Sequence, residues 1–229
     1  MEKTRINKFL AQAGICSRRE ADKLIETGKV TINGKKAQLG TAVSEKDHIK
    51  LNGKLISEKE KKVYIAFHKP FGVITTTNPE STNNIMEYFK IPERIYPIGR
   101  LDVQSSGLIL LTNDGAIVNR LLKAENKQEK EYIVTVNKPL TDEAIEKLEK
   151  GIMLDRRKTL PAKVKKRSTH QMSITIVQGI NRQIRRMCEA LGYDVKILKR
   201  TRIASIELKD LQRGKWRYLS DKEIRTLKG

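Results

Sequence analysis

The residues best suited to chemistry lie in one stretch, Tyr96-Pro97-Ile98-Gly99-Arg100-Leu101-Asp102-Val103-Gln104-Ser105-Ser106-Gly107, which runs into the apolar sequence Leu108-Ile109-Leu110-Leu111. Arg100 and Asp102 fall in a polar, glycine-flanked segment, where a carboxylate can be held near a guanidinium without either being fully buried. A loop on a rigid support is where reactive groups tend to be placed, and a carboxylate there could act as a nucleophile. A turn aspartate beside a surface arginine would account for Arg-x-Asp alone, but not for the long ordered run that follows it.

The elements that must position this loop can be read from periodicity. Leu108 to Leu111, bounded by Gly107 and by Asn113-Asp114-Gly115, reads as a buried strand between two turns. Val63 to Phe67 is β-rich, and His68-Lys69-Pro70-Phe71-Gly72-Val73-Ile74 turns and resumes as a strand. Residues 114–122 have helical spacing at Ile117, Val118, Leu121 and Leu122, and Lys130 to Val136 alternates as a half-buried strand carrying Tyr132. Residues 141–151 read as a helix ended by Gly151, Lys163 to Arg167 as a basic strand or loop, and Ser173 to Val177 as a strand. Beyond these, Ile184, Met187, Cys188 and Leu191 share one helix face while Arg182, Arg185, Arg186 and Glu189 share the other, a pattern that usually marks a solvated arginine face. Leu198-Lys199-Arg200-Thr201-Arg202-Ile203 continues the basic surface, and a helix beginning near Leu219 closes the chain.

The first part of the chain reads as a unit of its own. Ile6, Phe9, Leu10 and Ala13 recur at helical spacing before Gly14, and Ser17-Arg18-Arg19-Glu20 is a capping box that opens a second helix. Val30-Thr31-Ile32 with the Asn33-Gly34 turn starts a hairpin. Arg18, Arg19 and Lys23 face outward near the start of the second helix, and Lys29, Lys35 and Lys36 crowd the turn. The segment from Ile56 to Lys62 is polar and mixed in charge, as a linker would be. The expected division is therefore 1–60 and 61–229.

Composition narrows the partner. With 47 Lys and Arg against 27 Asp and Glu, the 229-residue chain has a formal net charge of +20, while 38% hydrophobic residues keep it within the globular range. Such an excess on a globular composition points to a polyanion bound through counterion release, nucleic acid first. No apolar stretch approaches the length of a spanning helix and no basic-then-apolar leader opens the sequence, so a cytoplasmic location is expected. Cys16 and Cys188 form no Cys-x-x-Cys pair, and His48, His68 and His170 are scattered, so neither a metal nor a redox dithiol is suggested.

The string Gly99-Arg100-Leu101-Asp102, with the Ser-Ser-Gly and Leu-Ile-Leu-Leu-Thr that follow, resembles the signature of RNA pseudouridine synthases. Lys69-Pro70-Phe71-Gly72 resembles that family's first motif, Lys130-x-Tyr132-x-Val134 its tyrosine strand, and Gln183-Ile184-Arg185 its arginine motif. The helix-helix-hairpin start, with Ser-Arg-Arg-Glu-Ala and Val-x-Ile-Asn-Gly, resembles the S4 RNA-binding domain. Asn181 to Glu189, together with Gly214-x-Trp216-Arg217, resembles the large-subunit enzymes of the S4-bearing RsuA/RluF-like branch.

The resemblance implies an α+β fold, with a small N-terminal S4-like domain followed by a catalytic domain on a mixed, mainly antiparallel sheet. It implies isomerisation of uridine to pseudouridine in ribosomal RNA, with the 23S species favoured, by a monomer that needs no cofactor. Asp102 would be the nucleophile, Arg185 would pair with it, and Tyr132 would stack on the uracil of a base flipped out of the RNA. Arg100 would fill the vacated stack, Lys69 would contact a phosphate or the active site, and Arg18, Arg19, Lys23 and Lys35 would contact phosphates. Many relatives have His where this chain has Arg182, so no chemistry is assigned to Arg182. Attack at C1′, departure of uracil to leave a glycal, and addition at C6 all remain open.

Two readings from other classes compete. A non-catalytic rRNA-binding or ribosome-assembly protein would explain the S4-like start and the charge, but not Asp102, Tyr132 and Arg185 together. A hydrolase of the N-glycosidic bond would use Asp102 with Asp114 or Glu131 and would release free uracil.

Overall fold

The computed structural model describes residues 3–56, 61–122 and 128–228. Most of the expected linker, residues 57–60, lies outside the described residues. The chain forms two compact units, one comprising Met1–Val63 with Ile91–Arg94 and Asn113–Gly115, the other the remainder.

In the first unit, helices Ile6–Gln12 and Arg18–Glu26 pack Ile6, Leu10, Ala21 and Ile25 against Val30, Val43 and Ile49 in one buried cluster. The second helix starts with the capping box read from the sequence. Ser17 Oγ accepts from the Glu20 amide at 3.1 Å, and Glu20 Oε2 accepts from the Ser17 amide at 2.6 Å. Strands Val30–Ile32, Lys35–Lys36, Ile49–Leu51 and Lys54–Leu55 form an antiparallel sheet beside it, turning at Asn33 and Gly34, both at positive φ.

The second unit is built on one mixed sheet, nine-stranded among the described residues. Its main order is Lys163–Ser168, Gln171–Ile176, Lys130–Val136, Val195–Ile203, Ser106–Thr112, Tyr64–Lys69 and Trp216–Tyr218. Every pairing is antiparallel except that of Val195–Ile203 with Ser106–Thr112, which is parallel. The strand Ser106–Thr112 is buried along its whole length. A strand covered on both faces has no reason to alternate, which is why its sequence is a continuous apolar run. On one face Tyr64, Ala66, Leu108 and Leu110 pack with Ile117 and Leu121 of helix Gly115–Leu122 and with Leu227 of the closing helix Asp221–Lys228. The α+β architecture and the mainly antiparallel sheet agree with the sequence reading.

The segment after Gly72 departs from it. Val73 and Ile74 do not continue a strand; only an isolated bridge joins Ile74 to Asn84. The polar groups here are spent on the Asp102 loop instead, since Thr75 Oγ1 donates to the Leu101 carbonyl at 2.7 Å and the Gly72 amide donates to the Val103 carbonyl at 2.8 Å.

Candidate active site

Asp102 is half-buried in the loop that leads into the central strand, and this loop is fixed from three sides. Its own turn closes when the Asp102 carbonyl accepts from the Ser105 amide at 3.0 Å. The Lys69–Gly72 turn and Thr75 hold Leu101 and Val103, as described. From the opposite direction Arg185 Nη2 donates to the Gln104 carbonyl, while Nη1 donates to the Val195 carbonyl at 2.9 Å. Arg182 Nη1 adds a bond to Gln104 Oε1 at 3.3 Å. With backbone groups fastened on both sides of it, the carboxylate is presented by a loop that cannot rearrange cheaply.

Arg185 does not lie on a solvated face. Only 6% exposed, on helix Gln183–Glu189, it spends its fork on two carbonyls, and no ion pair joins it to Asp102 among the described residues. Burial lowers its pKa, as does nearby Arg182, while Asp102 opposes the shift. Its partnership with the carboxylate is therefore one of field and of loop placement. Helical periodicity separated apolar from polar residues correctly, but the polar face turns into the protein at Arg185.

Lys69 corrects a second expectation. It is 0% exposed, and its ammonium donates to the Pro70 carbonyl at 2.9 Å and the Val73 carbonyl at 2.7 Å, so it is not available to an RNA phosphate. It closes the turn that braces Asp102. Burial pushes its pKa down to about 8; Asp102 pulls it up and Arg200 presses it further down. Lys69 is thus charged below about pH 8 and loses its charge above, removing one cation beside the carboxylate. The single-turnover rate is expected to fall roughly fivefold between about pH 8 and pH 9, and the Lys69→Arg variant, whose guanidinium stays protonated, to carry its alkaline limb to higher pH.

The register across the sheet assembles the rest. Tyr132 lies opposite Arg200, Arg200 opposite Gly107, and Gly107 opposite Lys69, so Tyr132, Arg200 and Lys69 project from one row on one face, with the Asp102 loop entering at Gly107. Arg200 was read as part of a basic surface, yet it is 3% exposed. The signal was weak, because Leu198 and Arg200 alternate but Ile203, three residues on, breaks the period of two, and charged neighbours obscure what remains. Arg200 Nε donates to the Leu108 carbonyl at 2.7 Å and Nη1 to the Tyr132 hydroxyl oxygen at 3.4 Å, with the guanidinium 5.9 Å from the Tyr132 ring centre. Lys130, two residues before Tyr132, has its pKa lowered by burial and by Arg200. Arg100 is exposed beside Asp102, and Arg18, Arg19, Lys23 and Lys35 are all exposed on the first unit.

A half-buried carboxylate on a braced loop, with Tyr132 and the buried cations Arg200 and Lys69 in one row of the sheet and buried Arg185 on a helix behind the loop, suits nucleophilic chemistry. Residues 63–190, more than half of the chain, match the family described as RNA pseudouridylate synthase. The chain belongs to this family of RNA pseudouridylate synthases. Residues 4–49 match the S4 domain. The chain is 49% identical over 222 residues to the dual-specificity RNA pseudouridine synthase RluF of Escherichia coli O6:H1, covering 96% of this chain and 77% of that protein. It is 43% identical over 233 residues to the ribosomal large subunit pseudouridine synthase B of Bacillus subtilis, covering 98% and 95% of the two. A crystal structure of a pseudouridylate synthase aligns with a TM-score of 0.73 at 31% identity, over 97% of this chain and 99% of the other. The chain is an RNA pseudouridine synthase with an S4 domain ahead of its synthase domain.

Proposed function

We propose that this synthase converts uridine to pseudouridine in large-subunit ribosomal RNA, acting in the cytoplasm as a monomer, with residues 1–60 gripping RNA and 61–229 performing the reaction. Asp102 is the nucleophile, Tyr132 stacks on the flipped uracil, and Arg100 fills the space the base leaves. The observation that carries this reading is the bracing of the Asp102 loop by Arg185 on one side and the Lys69 turn on the other. The large-subunit target rests on the similarity to the two named rRNA and RNA synthases.

Among the described residues, the two carboxylates that a glycosidic hydrolase would pair with Asp102 are both engaged elsewhere. Glu131 alternates away from Tyr132 and is bound to Arg202 at 3.2 Å, and Asp114 pairs with Lys62 at 3.3 Å. A purely binding protein would have no use for a carboxylate loop held by two buried cations. The deciding experiment is tritium release from ribosomal RNA labelled at uridine C5, followed by carbodiimide mapping of the product. Release from the 23S species is expected; release of free uracil, or none, would overturn the function.

Arg18, Arg19, Lys23 and Lys35 are assigned to RNA phosphates, which position without reading sequence. Changing all four to Gln should weaken RNA binding and reduce the slope of log K against log salt by about 3, near 0.7–0.9 per contact. An unchanged slope would remove these residues from the interface.

A further inference from the structure

The guanidinium of Arg200 is not used up by its contacts. Nε is held by the Leu108 carbonyl and Nη1 by the Tyr132 hydroxyl, but Nη2 is buried with no hydrogen-bond partner, on a residue 3% exposed. A buried N–H donor left without an acceptor is costly, and native interiors keep few of them. Here the orphan donor shares a carbon with the group that bonds Tyr132, on a guanidinium 5.9 Å from the Tyr132 ring centre.

Arg200 is also held in place. Its backbone lies against Gly107 in the parallel junction, and its Nε bond to the Leu108 carbonyl fixes the plane of the guanidinium on the strand that follows the Asp102 loop. Because arginine has no acceptor, the Tyr132 oxygen must receive the Nη1 proton. The phenolic hydrogen is thereby left to point elsewhere.

We propose that Arg200 Nη2 donates to a ring carbonyl oxygen of the target uracil, O2 or O4, and stabilises the negative charge that gathers there when the base separates from the sugar. This rests on the proposed uridine isomerisation and adds a base-contacting residue to it. When the N1–C1′ bond breaks, its electron pair leaves with uracil, whether an Asp102 oxygen bonds to C1′ or C2′ gives up a proton to form a glycal. In either case the ring becomes an anion with charge on N1, O2 and O4. Bonding from C5 to C1′ then consumes that pair; on the direct route the O–C1′ pair returns to Asp102, and on the glycal route C2′ regains its proton. Finally the C5 hydrogen leaves as a proton and N1 gains one. Arg200 Nη2, fixed in the row, would face a charge that is larger in the transition state than in bound uridine, which is how such a donor accelerates a reaction.

The test uses the intact enzyme and short rRNA stem–loops around the uridine mapped as its target, carrying uridine, 2-thiouridine or 4-thiouridine there. Sulfur accepts hydrogen bonds poorly, so one thio substitution should slow single-turnover conversion by wild type. In Arg200→Lys the rate on uridine should fall about 10²-fold with RNA affinity retained, and the penalty for that same thio substitution should shrink at least threefold. In Tyr132→Phe, which removes the acceptor of Nη1 but leaves Nη2, the thio penalty should persist. Equal thio penalties in wild type and Arg200→Lys would overturn the contact, as would loss of the penalty in Tyr132→Phe, since Arg200 would then act only by placing the tyrosine. The wild-type thio effect is a change in the RNA and does not depend on how well any variant folds, so its absence at both oxygens would also overturn the proposal. Wild-type conversion of the unmodified RNA is the reference; its failure would fall on the function and on this contact together, whereas equal thio penalties with the reference intact fall on Arg200 alone.

Discussion

Asp102→Asn is expected to abolish tritium release from C5-labelled ribosomal RNA, by about 10³-fold or more, while the dissociation constant for the RNA stays within about twofold of wild type. The expectation follows from what the substitution leaves in place. The loop is fixed through backbone groups, by Thr75 at Leu101, by Gly72 at Val103, by Arg185 at the Gln104 carbonyl and by the Ser105 amide at the Asp102 carbonyl itself. None of these bonds uses the Asp102 side chain. An amide of the same shape would therefore sit where the carboxylate sat, and only its ability to bond to C1′ or take a proton from the sugar would be lost. Residual activity near wild type would remove Asp102 from the chemistry, whereas a parallel fall in RNA affinity would mean that the loop itself had moved. Single-turnover rates and filter binding on the same preparation separate these outcomes.

What was legible beforehand follows from which signals are local. The capping box at Ser17, the positive-φ turn at Asn33-Gly34 and the apolar central strand depend on near neighbours in the chain, and all appear as read. The fates of Lys69, Arg185 and Arg200 depend on long-range pairing. A lysine in a Lys-Pro-x-Gly turn looks like a surface cation until the strand Tyr64–Lys69 is placed against Ser106–Thr112, which buries it beside Gly107. Arg200 stands among Lys199, Thr201 and Arg202, and charge density outweighs alternation in such a run. Only its pairing with Tyr132 on one side and Gly107 on the other places it inside. Arg185 sits on the polar side of a helix that happens to face the Asp102 loop. Cations are poor guides to burial in a chain so rich in them, because the feature that reveals the partner also hides the few arginines and lysines that serve the site.

Gly107→Ala is expected to be the most damaging small substitution outside the nucleophile. The two halves of the sheet meet where Val195–Ile203 runs parallel to Ser106–Thr112, through the register pairs Lys199 with Ser106 and Arg200 with Gly107. A methyl at 107 would lie 2.2 Å from the Arg200 carbonyl oxygen and 2.5 Å from its amide nitrogen, and Gly107 sits at φ +111, where an L side chain is strained in any case. The obstructing atoms are backbone of a paired strand, so relief requires the halves to part, which moves Arg200 and Tyr132 away from the Asp102 loop. A loss of about 3 kcal/mol or more is expected, a fall in Tm of about 6–12 °C for a chain of this size, together with most of the activity. Gly72→Ala is the control, because Gly72 also has positive φ, +87, yet no atom lies within 4 Å of the added methyl. It should show the conformational cost alone, about 1–2 kcal/mol. Equal losses in the two variants would mean that backbone conformation, and not the close approach of the strands, makes glycine necessary at 107. A much larger loss at 107 would place the junction between the half-sheets at the centre of both stability and catalysis.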